Sequence, residues 1–109
     1  MQTMMKNKIV VKPLFENVFG ENNTIKVLDF FLMGKDFDFT LSQIAIGTDL
    51  SRTAVRNAIS ELLDKKMIVV SREDVKSTYY RINKEDKKFE LLTKLYKELK
   101  KEVWLEHLV

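Results

Sequence analysis

The sequence predicts an α+β fold, mostly helical, built as one domain with a long helix at its C-terminal end. Three observations carry this. Two short, capped, amphipathic segments follow one another between Thr40 and Leu63. Two runs rich in β-branched and aromatic residues come directly after them, and the last stretch repeats apolar residues at helical spacing. A chain of 109 residues suits one domain, and 45% apolar with 32% charged residues describes an ordinary globular chain rather than a disordered one.

Taken in order, residues 1–12 read as an N-terminal tail, in which Ile9-Val10-Val11 either adds a short strand or lies across the core. Pro13 suits the first turn of a short helix through Leu14, Phe15, Val18 and Phe19, ended by Gly20. Phe15 and Phe19, four apart on one face, read as core packing. Asn22-Asn23-Thr24 offers caps for a helix from Ile25 to Met33, with Gly34 as its stop. Its stripe of Ile25, Leu28, Phe31 and Leu32, widened by Val27 and Phe30, wants burial on more than one side. Phe37-Asp38-Phe39 alternates like a short strand.

Thr40-Leu41-Ser42-Gln43 is a capping-box pattern, Thr at the cap and Gln three residues on. Leu41, Ile44 and Ala45 form the apolar face of the helix it opens, and Gly47 is expected to end that helix in the left-handed conformation. The turn Thr48-Asp49-Leu50, with Leu50 inward, leads to Ser51, a good N-cap for the next helix. Val55, Ile59 and Leu62 lie on one face of that helix, with Ala58 and Leu63 alongside; Arg52, Thr53, Arg56, Asn57 and Ser60 lie on the other. Arg can pair bidentately with guanine and Asn with adenine, while Ser and Thr reach bases or phosphates. Any exposed helix face carries polar residues, yet carboxylates are scarce here: Asp49 precedes the helix, and Glu61 and Asp64 come near its far end. Two capped helices joined by a short turn make a helix-turn-helix. Residues 67–82 then read as a β-hairpin around the polar turn Glu73 to Ser77, with Ile68, Val70, Tyr80 and Ile82 inward and Arg72, Lys76 and Arg81 outward.

From Leu41 to Ile82 the pattern L-S-x-I-A, then L-S-R-T-A-V-R-N-A-I-S-E-L, then K-M-I-V and a hairpin, resembles winged helix-turn-helix transcriptional regulators of the broad MarR-like and ArsR-like groups. The rest of the chain follows in outline. The resemblance implies that helix 51–65 enters the DNA major groove and that the hairpin, the wing, touches backbone or minor groove. By position it implicates Ser51, Arg52, Thr53, Arg56 and Asn57 in the helix, and Arg72, Lys76, Ser77 and Thr78 in the wing. It also implies that the 37–39 strand pairs with the wing. Two departures stand out. Lys66 occupies a place often held by Gly, so a non-Gly residue has to take positive φ there. The wing is also short and only moderately basic.

Residues 84–109 are expected to form an amphipathic helix capped by Asn83, with Asp86 at its third position and Phe89, Leu92, Leu95, Tyr96, Leu99 and Val103 as its stripe. Such a helix either folds back on the 25–33 helix or pairs with its copy. Its length favours a dimer, through Leu92, Leu95, Tyr96, Leu99, Val103 and Trp104. The lysines along it alternate with acids and read as a solvated face rather than a DNA arm.

A net charge of +3 and a pI near 9.1 favour polyanions without requiring them. Cysteine is absent and His107 stands as the single histidine, so thiolate and His-cluster metal sites are excluded and no cofactor is expected. No apolar run approaches a membrane span and the first ten residues lack a signal core, which points to a cytoplasmic protein. No carboxylate pair, nucleophile with base, or Gly-rich phosphate loop argues for an enzyme, and no convergent polar set marks a small-molecule effector site. The function expected is sequence-specific binding of double-stranded DNA by a homodimer that regulates transcription. The alternatives are a winged-helix protein–protein interaction module, or a DNA-binding protein of plasmid partition or replication.

Overall fold

The computed structural model describes residues 14–108, with side chains for all of these except residue 17 and residues 104–108. The expectations for residues 1–12, for Pro13 and for the Trp104 side chain fall outside the described residues. In order come α1 (Leu14–Phe19), α2 (Asn23–Met33), β1 (Phe39–Thr40), α3 (Leu41–Thr48), α4 (Arg52–Asp64), β2 (Ile68–Glu73), β3 (Thr78–Ile82) and α5 (Lys87–Leu108). The strands form an antiparallel sheet in the order β1-β3-β2.

The core lies where α2, α3 and α4 meet the sheet. Phe31, Ile44, Val55, Leu62, Ile68 and Ile82 are all buried to 1% exposure or less, each contributing on the order of 1.5–3 kcal/mol. Asn22 caps α2 by accepting the Ile25 N–H. The buried face of α2 differs from the expected stripe: Val27, Leu28, Phe31 and Leu32 are inside, Ile25 is half-buried, and Asp29 joins the buried set. A carboxylate can be buried there because its two oxygens accept the Phe15 and Glu16 backbone N–H groups, both at 3.0 Å. Asp29 thus caps the first turn of α1 from a different helix. Burial raises its pKa, against the lowering effect of those two N–H groups. Gly20, at φ 95, ends α1 as expected.

α3 opens with the full capping box: Thr40 Oγ1 accepts the Gln43 N–H and Gln43 Oε1 accepts the Thr40 N–H. Its stop is not Gly47. That residue is helical, and the left-handed residue is Asp49 at φ 59, whose N–H bonds back to Ala45. Gly47 answers a different need, since a Cβ on it would run into the Phe30 ring. Phe30 in turn packs edge-on against Phe39, with centroids 4.6 Å apart, which locks α2, α3 and β1 together. Leu50 is half-buried against the core.

Lys66 takes φ 61 between α4 and β2, as its place in the pattern demanded. Asn83 secures this turn by donating from Nδ2 to the Lys66 carbonyl. A short strand does pair with the wing, but it spans Phe39–Thr40 rather than 37–39: Phe39 lies opposite Tyr80 and Thr40 opposite Tyr79, while Phe37 is exposed and Asp38 turns toward Ser71 and Arg72. The expected inward set of the hairpin is corrected at Val70, which is 45% exposed. Ile68 and Ile82 sit over the helices and Tyr80 packs against the same core from the central strand, whereas Val70 lies on the edge strand next to a register shift that leaves Ser71 as an extra residue. Asn83 is not the cap of α5 either: Asp86 precedes the helix and its Oδ1 accepts the Lys88 N–H at 2.7 Å. α5 then packs beside α1, where Tyr96 meets Phe15 edge-on at 5.6 Å.

Candidate nucleic-acid interface

Helix α4 is fixed at its start by Ser51, whose hydroxyl oxygen accepts the Ala54 N–H. Val55, Ala58, Ile59 and Leu62 anchor its inner face. That packing leaves Ser51, Arg52, Thr53, Arg56, Asn57 and Ser60 exposed together on the outer face. Its first turn contains no acid, and of the acids near its far end Glu61 is already engaged. Glu61 accepts the Thr24 hydroxyl at 2.6 Å and pairs with Lys65, and these contacts hold its pKa below the usual carboxylate value. The outer face is therefore cationic and polar over its first two turns.

Helix α3 touches this face at one point. Arg52 Nη1 donates to Ser42 Oγ at 2.6 Å, joining the first turns of the two helices on the solvent side. Ser42 is not among the residues the sequence singles out, because its neighbours Thr40 and Gln43 account for the local capping pattern. Ile46, one turn further along α3, is 83% exposed.

The wing is a more constrained surface than its sequence suggests. Arg72 lies with its guanidinium carbon 3.6 Å above the Tyr79 ring, and its Nε reaches Asp38 at 3.3 Å. Ser71 donates to the same Asp38 oxygen at 2.8 Å, and the Ser71 hydroxyl is the main reason that carboxyl titrates below its usual value. Arg72 is thus held against the protein along the flank of the ribbon. Asp74 shapes the tip by accepting the Lys76 and Ser77 N–H groups. Lys76 is exposed, while Ser77 and Thr78 are half-buried. Glu73 and Asp74 beside Arg72 and Lys76 leave this segment close to neutral.

Of the residues expected to dimerise, Leu92, Tyr96 and Leu99 are half-buried against the core of their own chain and Val103 is buried, whereas Leu95 is 42% exposed. Phe15 supplies the aromatic partner that draws Tyr96 inward. Leu91 on α5 and Val18 and Phe19 on α1 stay exposed as well. Among the described residues no group of three or more His, Cys, Asp or Glu is placed to hold a metal ion, and no helix is long and apolar enough to cross a membrane.

A capped helix, a tight turn, a second helix with a polar outer face and an antiparallel hairpin braced by a third strand define a winged helix-turn-helix domain. Solved structures share this fold. Reduced HlyU from Vibrio cholerae matches with a TM-score of 0.58 at 16% identity, over 91% of this chain and 97% of that one. The adhesin competence repressor of Streptococcus pyogenes matches with a TM-score of 0.60 at 19% identity, over 97% and 81%. FabT of Streptococcus pneumoniae, solved in complex with DNA, matches with a TM-score of 0.60 at 18% identity, over 97% and 75%. No protein-family model and no curated protein matches the chain.

Proposed function

We propose that this chain is a transcriptional regulator that binds double-stranded DNA with sequence preference as a homodimer. One observation carries the reading: α4 presents Arg52, Thr53, Arg56 and Asn57 together, exposed and free of acids in its first turn, on a fold also found in a protein solved with DNA. Arg52, Arg56 and Asn57 suit base edges in a major groove, and Thr53 suits the phosphate backbone. In the wing, Lys76 is the residue best placed to reach a phosphate; Ser77 and Thr78 support the tip, and Arg72 stiffens the ribbon.

Dimerisation through α1 and α5 is supported by the apolar side chains still exposed there, Val18, Phe19, Leu91 and Leu95, with Trp104 adjoining in sequence. A two-fold axis through these helices would place two α4 helices on an inverted repeat about one helical turn apart. A cytoplasmic setting fits such a role.

A gel-shift titration at several salt concentrations tests this reading. Affinity should fall steeply with salt, the log–log slope being roughly −0.9 per phosphate neutralised. Arg56→Ala should lose more affinity on a selected duplex than on random duplex, by about 1–3 kcal/mol. Weak, salt-insensitive association would favour a protein-interaction module instead.

A further inference from the structure

Arg52 differs from Arg56 in one respect: it is already held. Its Nη1 donates to Ser42 Oγ at 2.6 Å, although both residues are exposed and ten positions apart in the chain. An exposed bond of this kind adds little to stability, because water competes for both partners. Its effect on a long side chain is larger. A free arginine samples many rotamers and loses that freedom when it docks, whereas one already tethered loses less.

The tether also chooses which part of the guanidinium is left over. The group is planar with five N–H donors in a fixed fork. With Nη1 turned toward Ser42, the Nε–Nη2 edge, which carries two parallel N–H bonds, remains available. Two parallel donors are what guanine O6 and N7 require in the major groove. Resting on the reading of α4 as a groove-facing helix, we propose that Ser42 of α3 is a positioning residue that presets Arg52 to select guanine at one position of each half-site.

The test uses the full chain and duplexes selected by the wild type from a random pool, together with duplexes in which each guanine of the half-site is replaced in turn. Arg52→Ala should lose about 5- to 150-fold of discrimination at one guanine. Ser42→Ala should lose roughly 3- to 10-fold at that same guanine and at no other, with an unchanged melting temperature. The double variant should match Arg52→Ala, and Ser42→Thr, which keeps the hydroxyl, should restore the preference. Equal loss on every duplex, or a loss that adds fully to that of Arg52→Ala, would overturn the positioning role while leaving DNA binding intact. A wild type that selects no duplex would remove the inference and the DNA reading together.

Discussion

Asp29 offers the sharpest test of how the N-terminal helix is held. The carboxylate is fully buried and accepts two backbone N–H groups from a helix of only six residues. So short a helix has little stability of its own and depends on outside partners. Asp29→Asn keeps one acceptor oxygen but turns an NH2 toward the other N–H, leaving a buried donor unmet at about 1–3 kcal/mol. Asp29→Ala removes both acceptors; relief of the buried charge offsets part of the loss, so the net cost should be roughly 2–4 kcal/mol. At a urea slope of about 2 kcal/mol per molar, the alanine variant should shift the unfolding midpoint by roughly 1–2 M.

The pH dependence carries a definite sign. Burial raises the Asp29 pKa in the folded state, so its favourable contribution is fully present below the unfolded value of 3.8 and fades as pH rises through the folded value. The gap between wild type and Asp29→Asn should therefore widen as the solution is acidified. Hydrogen exchange should report the local event, with the Phe15 and Glu16 amides exchanging first. The α5 residues around Tyr96 should follow, since Phe15 packs against that ring. Wild-type midpoints in Asp29→Ala, with both amides still protected, would refute this account of α1.

Other perturbations test separate parts of the scaffold. Lys66→Gly should stabilise the protein by about 0.5–1 kcal/mol in urea unfolding, because relief of a left-handed non-Gly residue exceeds the entropy glycine adds to the unfolded chain. Gly47→Ala should destabilise by about 1 kcal/mol, since crowding the Phe30 ring outweighs the gain in helix propensity. Phe30→Leu in that background should recover part of the loss. Asp38, held below its usual value first by Ser71, contributes stability above the unfolded value of 3.8 that is lost as pH falls through the lower folded value. Asp38→Asn should consequently flatten the acid limb of a stability–pH curve, and curves of identical shape would contradict that assignment.

Much of the scaffold was legible because local chemistry decides it. Ser51, and Thr40 with Gln43, satisfy helix N–H groups within a few residues, so their pattern survives any tertiary context. The split of α4 into inner and outer faces follows from its period, whereas positive φ at Lys66 is implied only by the resemblance to winged helix-turn-helix regulators. What was misread depends on partners distant in sequence. Asp29 drew no reading from the local pattern, because its partners are backbone N–H groups of α1, thirteen and fourteen residues earlier. Gly47 looks like a helix stop, yet Phe30, seventeen residues earlier, is what demands the missing side chain. Arg72 looks like a free wing cation, but Tyr79 and Asp38 engage it across the sheet. Val70 kept its alternation and lost its burial: it sits on the edge strand beside the register shift, while its partner Tyr80 on the central strand packs against the core. The bond from Arg52 to Ser42 leaves no trace in either local pattern.

Enriching duplexes from a random pool with the wild-type chain, and repeating the enrichment with Arg56→Ala, bears most directly on the central claim. The wild type should enrich an inverted repeat with half-sites about one helical turn apart, and the variant should lose preference at one base pair per half-site. Enrichment of no sequence, or the same repeat recovered undiminished by Arg56→Ala, would contradict that claim.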